Sequence, residues 1–424
     1  MVATYPPKAL LLSTNEAKRL EMLADQLVAE TLSASETFVA EKRMVDPTRW
    51  KAVKAKNNLY SYRVRRGRSY SDDITAASAS PHMPMLYPTN GKDGLSEAYP
   101  RMNLSEDSLE NGLTDVLSSR GGSEHNVMEN CRPARVPMVF CTGIVPGTIE
   151  DAALGFFADT EERSRMRNSN NKDAVVDDMR ILARIHGPTK NDPFRFLGVK
   201  WCAHSTPGAA GCFIKSRDYL IIESTGMALD SDGNRFTYML NHSIELNQVP
   251  DFRKIGHVRI NFSICFILKP HEDGEIDVFC QGFVDTGGKI PKSLSTYMFC
   301  DGLMIVPQFV EDGYAKKLTW LLRTQHFGGS GHQPFSQKSS HCPCCNDKLQ
   351  TGLAKLIEGN TTCCICRRTV CTKCSVTKTL PIDVGGPGQL TKKAMDFCLN
   401  CYLKAKEMPA WRVAIEMISV TEQE

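Results

Sequence analysis

From Leu20 the chain repeats apolar residues at Leu20, Leu23, Ala24, Leu27, Val28, Thr31 and Leu32, the spacing that draws one stripe down a helix. Ser13-Thr14-Asn15-Glu16 precedes it as a capping box, in which hydroxyl and carboxylate each satisfy an orphan backbone N–H. The spacing predicts a helix of about seven turns that packs on something, because such a stripe exposed to water is costly. Trp50 to Val53 and Leu59 to Val64 read as short strands around the polar turn Lys56-Asn57-Asn58. Val136 to Val145 is a nearly continuous apolar run, a buried strand, and Thr148 then caps a short helix running to Phe157. Alternation follows at Met179, Ile181, Ala183 and Ile185, at Val199, Trp201 and Ala203, at Tyr219 and Ile221, and at Phe236, Tyr238 and Leu240. The longest run is Val258, Ile260, Phe262, Ile264, Phe266 and Leu268, with His257, Arg259, Asn261, Ser263 and Cys265 on the other face, and Ile276 to Val284 comes next. These segments predict a meander of antiparallel strands. After Pro291 the period becomes helical, from Leu294, Tyr297 and Met298 through Phe309 and Tyr314 to Leu322, and Pro307 is expected to kink or divide that helix.

Between these patterned regions, Arg65 to about Arg135 is rich in Ser, Gly, Pro, Asn and acidic residues with no period, and we read 66–135 as a disordered insertion. Its basic start, Arg65-Arg66-Gly67-Arg68, is a solvated flank. The segment 328–340 contains Gly-Gly-Ser-Gly and reads as a linker. The boundaries are therefore 13–327 for the sheet domain, 341–404 for a cysteine-rich module and 405–424 for a tail.

The module carries four Cys-x-x-Cys pairs, Cys342/Cys345, Cys363/Cys366, Cys371/Cys374 and Cys398/Cys401, separated by 17, 4 and 23 residues. Two intervening residues let both sulfurs reach one metal, and four sulfurs close the tetrahedral shell of a structural zinc, so eight ligands imply two zinc ions. The four-residue gap makes it hard for the second and third pairs to share an ion. Interleaving relieves this, with pairs one and three on one zinc and pairs two and four on the other. Cys344 and Cys364 are bystanders, although Cys344 competes with Cys345 as a ligand.

Composition narrows the function. At 424 residues and 42% hydrophobic the chain suffices for two or three domains, and a net charge of +3 argues against a nucleic-acid binder driven by bulk electrostatics. Of 17 cysteines, ten lie in the last 83 residues at metal spacing and the rest are scattered, the pattern of a reducing compartment. No signal-peptide core and no apolar run long enough to span a membrane are seen, so we expect a cytoplasmic protein with at most peripheral membrane contact. His186, His204, His242, His257 and Cys202 are the catalytic candidates, but none sits in a recognisable catalytic motif, and we expect no enzyme.

The run Thr361 to Ser375, with Cys363, Cys366, Cys371 and Cys374, and the closing Cys398-Leu399-Asn400-Cys401-Tyr402 resemble a FYVE-type zinc finger. Where that family carries its basic phosphoinositide motif, this chain has Asn360, Thr361, Thr362 and Cys364. The resemblance implies two structural zinc ions and peripheral contact with endosomal membranes; the substituted motif implies weak binding of phosphatidylinositol 3-phosphate, leaving Arg367, Arg368 and Lys373 to touch acidic membranes nonspecifically. Trp50, Arg217-Asp218-Tyr219 and Asp285-Thr286-Gly287-Gly288-Lys289-Ile290-Pro291, in this order of elements, resemble the START lipid-binding domain from about Asn15 to Arg323. That resemblance implies an α+β helix-grip fold, an antiparallel sheet curled around a long C-terminal helix, with a cavity for one lipid or sterol. Arg259, Asn261 and Ser263 share one strand face and are the candidate headgroup contacts; the competing expectation puts them in solvent. The function expected is a non-enzymatic lipid sensor, carrier or membrane adaptor. The alternative is a protein-interaction adaptor, a small-GTPase effector or a RING-like ubiquitin ligase, whose sheet domain holds no ligand.

Overall fold

The computed structural model describes residues 6–65, 126–169, 175–206, 214–288, 290–327, 340–349, 359–384 and 390–421. Helix α1 (Thr14–Ala40) begins at the expected capping box: the Ser13 hydroxyl accepts from the Glu16 N–H and the Glu16 carboxylate accepts from the Ser13 N–H. Its buried stripe, with Ala24, Leu27, Val28, Thr31 and Leu32, packs on one face of the sheet. Strands β1 (Trp50–Lys56) and β2 (Leu59–Val64) form the expected hairpin, turned by Asn57 and Asn58 at φ 53° and 59°.

The segment read as an insertion lies outside the described residues as far as 125. From Asn126 it is ordered, which corrects the boundary at 135. A short helix, α2 (Val127–Cys131), is tied to α1 because the Glu30 carboxylate accepts from the N–H groups of Val127 and Met128. Strand β3 (Val139–Pro146) leads to α3 (Ile149–Phe156), capped by Thr148 as the sequence predicts. Helix α4 (Glu161–Asn168) was not anticipated. Its ends rather than an apolar stripe define it: Thr160 caps it, Glu161 and Glu162 open it, and Arg165 and Arg167 close it.

Strands β4 (Val175–His186), β5 (Phe196–Ser205), β6 (Arg217–Leu229), β7 (Arg235–Ser243), β9 (Asn261–Pro270) and β10 (Glu275–Asp285) run antiparallel to their neighbours in the order β1-β2-β3-β10-β9-β7-β6-β5-β4. The meander thus holds from β4 to β10, after which β3 pairs back onto β10, Val139 opposite Gly282. The long alternation from Val258 is not one strand. β8 (Val258–Arg259) pairs in parallel with β6, the Ile260 N–H donates to the Asp218 carbonyl, and the chain then crosses to become β9.

The helical segment after Pro291 divides as Pro307 foretold, into α5 (Lys292–Leu303) and α6 (Val306–Phe327). Pro307 is the second residue of α6, where its missing N–H leaves no bond unmade. The other face of the sheet packs on α3, α5 and α6, so both faces are covered. Helices α3 and α6 cross in backbone contact: a Cβ on Gly155 would lie 1.7 Å from the Phe309 carbonyl oxygen, and one on Gly313 2.2 Å from that of Asp151. The fold class is the expected one, an α+β sheet held against a long C-terminal helix.

The cysteine-rich module folds against that same helix. Strands β11 (Thr361–Thr362), β12 (Thr369–Val370), β13 (Ser375–Val384) and β14 (Leu390–Cys398) form two hairpins, and α7 (Leu399–Glu407) follows. Leu318 and Leu321 of α6 enter the module's own core with Leu349, Ile365, Val370 and Phe397. The buried Lys317 amine donates to the Lys406 carbonyl at 3.0 Å and pairs with Asp151 at 2.5 Å, linking module, α6 and α3. The stretch 405–424, expected only as a tail, ends in α8 (Ala410–Thr421), which returns to the sheet domain: Ala410, Val413 and Ala414 are buried there, and Trp411 meets Phe194 edge to face.

Candidate functional site

Between the sheet and the α5–α6 break lies a cavity of about 230 Å³. Its apolar wall is Ile221, Met239, Phe262, Ile264, Phe266 and Phe309, while Arg167, Asn168, His204 and Tyr219 gather polar groups. Gly302 and Ile305, at the end of α5 and just before α6, also line it.

The polar part rests on a buried ionic cluster. Helix α4 projects Arg167 against β6, where both guanidinium nitrogens donate to the Glu223 carboxylate at 3.0 and 2.5 Å. Lys200 on β5 donates to the same carboxylate at 2.7 Å, to the Ser164 hydroxyl at 3.0 Å and to the Ala158 carbonyl at 2.5 Å. The Lys200 and Glu223 side chains are wholly buried. Burial pulls the Lys200 amine down to about 8; the Glu223 carboxylate opposes this and the neighbouring Arg167 charge adds to it. Burial opposes ionisation of Glu223 as well, but two cations outweigh it and its pKa ends below the ordinary value. Two cations on one carboxylate leave the cluster a hydrogen-bonded polar floor with one net positive charge. Beside it Asn168 donates to the Tyr219 hydroxyl at 3.1 Å.

The candidate headgroup residues do not reach this cavity. Strand β9 turns Phe262, Ile264 and Phe266 inward, so Asn261 and Ser263 face the other way. Asn261 is exposed, Ser263 hydrogen-bonds the His242 ring at 2.9 Å, and Arg259 on β8 is bound to Asp218 at 2.9 and 2.7 Å. Among the catalytic candidates, the structure brings Cys202 and His204 to the cavity beside Tyr219, whereas His186 pairs with Glu21 across α1 and β4. Burial pushes the Cys202 thiol up to about 12, the reverse of an activated nucleophile. Arg167 and Asn168 escaped the sequence reading, because α4 has no apolar period to mark it.

The cysteines assemble as the interleaved reading requires. The sulfurs of Cys342, Cys345, Cys371 and Cys374 lie within 4.8 Å of one another, as do those of Cys363, Cys366, Cys398 and Cys401. Cys345 and Cys371 are 3.7 Å apart, and Cys366 and Cys398 3.8 Å. A tetrahedron with Zn–S arms of about 2.3 Å has edges of about 3.8 Å, whereas a disulfide would bring sulfurs to about 2.05 Å. Asn346 and Arg367, each one residue past a pair, take φ of 63° and 60°, which curls the turn beneath the sulfurs. Cys344 and Cys364 fall outside both groups. The donor sets therefore fit two tetrahedral soft-metal ions. Arg367, Arg368 and Lys373 are exposed on the module.

No family model matches the chain, and no curated protein matches it. Similar solved structures include human STARD10, at 9% identity and a TM-score of 0.37 over 76% of this chain and 86% of that one. Human StAR-related lipid transfer protein 5 is 14% identical, with a TM-score of 0.35 over 67% and 93% of the two chains. A fragment of the STAR-related lipid transfer protein from Xanthomonas axonopodis is 12% identical, with a TM-score of 0.32 over 62% and 96%.

Two histidines of the sheet domain, His242 buried and His204 half-buried, give an acid limit to stability. Burial lowers both His204 and His242 from 6.5 to about 4. The unfolded chain therefore binds protons between about pH 6.5 and 4 that the folded chain refuses; stability is complete above that window and falls as pH drops through it. Each histidine contributes on the order of 3 kcal/mol to the loss. Chemical denaturation across this range should show the slope, and His242→Asn should flatten it; a slope unchanged by the substitution refutes the assignment.

Proposed function

We propose that the protein is a non-enzymatic lipid-binding protein whose sheet domain takes one amphiphile, apolar part along Phe262, Ile264 and Phe266 and polar group at Arg167, Asn168 and Tyr219. The observation that carries this is the amphipathic lining of the cavity, apolar strands meeting a satisfied ionic cluster. Such a division suits a molecule with one polar end. The second reading, an adaptor with a closed domain, draws on size: about 230 Å³ is below the ~300–1,000 Å³ of most ligand sites. Native mass spectrometry of the intact protein separates the two. A stoichiometric lipid is expected, displaced or weakened in Phe262→Trp, which fills the cavity; repeated recovery of empty protein from lipid-rich cells favours the adaptor.

The cysteine module we read as a FYVE-related, cross-braced finger holding two zinc ions, with Cys342, Cys345, Cys371 and Cys374 on one and Cys363, Cys366, Cys398 and Cys401 on the other. The ions supply fixed tetrahedral charge centres that the thiolates fold around. Between residues 338 and 407 there are 11 Lys or Arg against 5 Asp or Glu. Eight thiolates and two dications reduce that excess to about +2, enough for weak, salt-sensitive attraction to anionic membranes. Thr361 spends its hydroxyl on Ser375 at 2.7 Å, where the family has basic residues. We therefore expect no preference for vesicles carrying phosphatidylinositol 3-phosphate over charge-matched phosphatidylserine vesicles at physiological salt; a clear preference in co-sedimentation refutes this. The setting proposed is the cytoplasm, peripheral on endosomal membranes.

A further inference from the structure

Helix α5 carries apolar residues on its outer face as well as its inner one. It buries Ser295, Thr296 and Cys300 with Leu303 against the sheet and turns Leu294, Tyr297 and Met298 to solvent at 50%, 47% and 44% exposure. These three positions, spaced three and one apart, form a single outward stripe. The inward side is satisfied: the Ser295 hydroxyl meets that of Thr286 at 3.0 Å, and the Thr296 hydroxyl donates to the Lys292 carbonyl at 2.8 Å. Core packing therefore accounts for the small residues inside and not for the large apolar residues outside. Contiguous exposed apolar surface of this kind marks an interaction face.

The border of the stripe says what it meets. Helix α5 lies along β1. The Lys54 amine sits 4.8 Å from the Tyr297 ring centroid and pairs with Asp301, and Lys56 is 3.8 Å from the same carboxylate. Lys51 on β1 and Lys292 at the start of α5 are exposed. Lys54 and Lys56 thus share the single carboxylate of Asp301 beside the stripe, and Lys51 and Lys292 lie exposed on the same two elements, so this face carries surplus positive charge. An apolar stripe rimmed by long basic side chains, which can keep their amines in water while their stems lie on apolar surface, is the pattern of a helix that lies in a membrane interface. The end of this helix is also the cavity wall, through Gly302 and, just beyond it, Ile305.

We propose that the outer face of α5, with the lysines of β1, docks the protein on an anionic bilayer surface, presenting the α5–α6 break to the membrane. The proposal goes beyond the cavity reading and stands without it, since docking requires no bound lipid. It also differs from contact through Arg367, Arg368 and Lys373 of the cysteine module.

Flotation of the full-length, metal-loaded protein with phosphatidylcholine vesicles containing phosphatidylserine tests it. Replacing the stripe together, Leu294→Ser, Tyr297→Ser and Met298→Ser, should lower the partition coefficient about tenfold or more. Lys51→Glu with Lys56→Glu should weaken binding most at low salt and should decide the matter if the serine variant melts early. Arg367→Glu, Arg368→Glu and Lys373→Glu together should leave most binding intact. Undiminished vesicle binding by the stripe and lysine variants, or loss confined to the Arg367, Arg368 and Lys373 variant, overturns the proposal. So does a wild-type dimer that the serine variant converts to monomer without change in vesicle binding, which would make the stripe a contact between two copies of this chain.

Discussion

Cys371→Ser is expected to leave one zinc per chain instead of two and to loosen Cys342–Cys345 along with the mutated pair, while Cys363–Cys366 stays ordered. The interleaving dictates this asymmetry. Cys371 shares its group with the first pair, and the second pair shares its group with Cys398 and Cys401. The module's own apolar core is small, and part of it, Leu318 and Leu321, is borrowed from α6. On the proposed two-zinc reading, metal binding supplies most of its folding free energy, on the order of 10 kcal/mol per structural site. Complete chelation should unfold the module and expose those leucines on α6. It should also deprive Lys317 of the Lys406 carbonyl, leaving the amine paired with Asp151 alone. Elemental analysis with hydrogen exchange on the intact protein reads all three consequences. One zinc or none in a folded module would falsify the interleaved assignment.

That assignment was legible because a gap of four residues admits few ways to satisfy eight ligands. Helix α1 was legible for a similar reason, since a capping box and an unbroken stripe agree, and Pro307 fixed the α5–α6 break by chemistry that context cannot override. The cavity was not. Alternation from Val258 to Leu268 shows which residues share a face but not which face looks inward, and here both faces are covered, one by α1 and the other by α5 and α6. Phe262, Ile264 and Phe266 turned inward, so the polar set with Asn261 and Ser263 lost its proposed role. Two of the polar residues that do meet the cavity, Arg167 and Asn168, sit on a helix made by end charges and a cap. Helix α8 has Ala410, Val413 and Ala414 at helical spacing, but the surfaces that bury them, on α3, on α6 and around Phe194, come from separate and distant parts of the chain.

Glu223→Gln should be the most damaging single substitution in the sheet domain. The carboxylate is fully buried and answers two cations, Arg167 through both nitrogens and Lys200 through its amine. Removing the charge while keeping the shape leaves both cations desolvated without an anion, and breaking a buried pair in this way costs about 3–5 kcal/mol. The pH dependence distinguishes this cause from a packing defect. Burial already holds Lys200 down at about 8, and without Glu223 its folded-state pKa must fall further while its unfolded value stays near 10.5. The unfolded chain then binds a proton that the folded variant refuses already below pH 8, where the folded wild type still holds it, so the deficit should narrow as pH rises towards about 8 and level off above it, once both folded proteins have shed that proton. Adding Lys200→Met should recover part of the loss by removing the uncompensated amine, at the expense of its bonds to Ser164 and Ala158. Urea denaturation of the three proteins between pH 7 and pH 9 measures each term. A deficit below about 1 kcal/mol at pH 7, or one that does not change with pH, is incompatible with a charge cluster that needs Glu223 to stay buried.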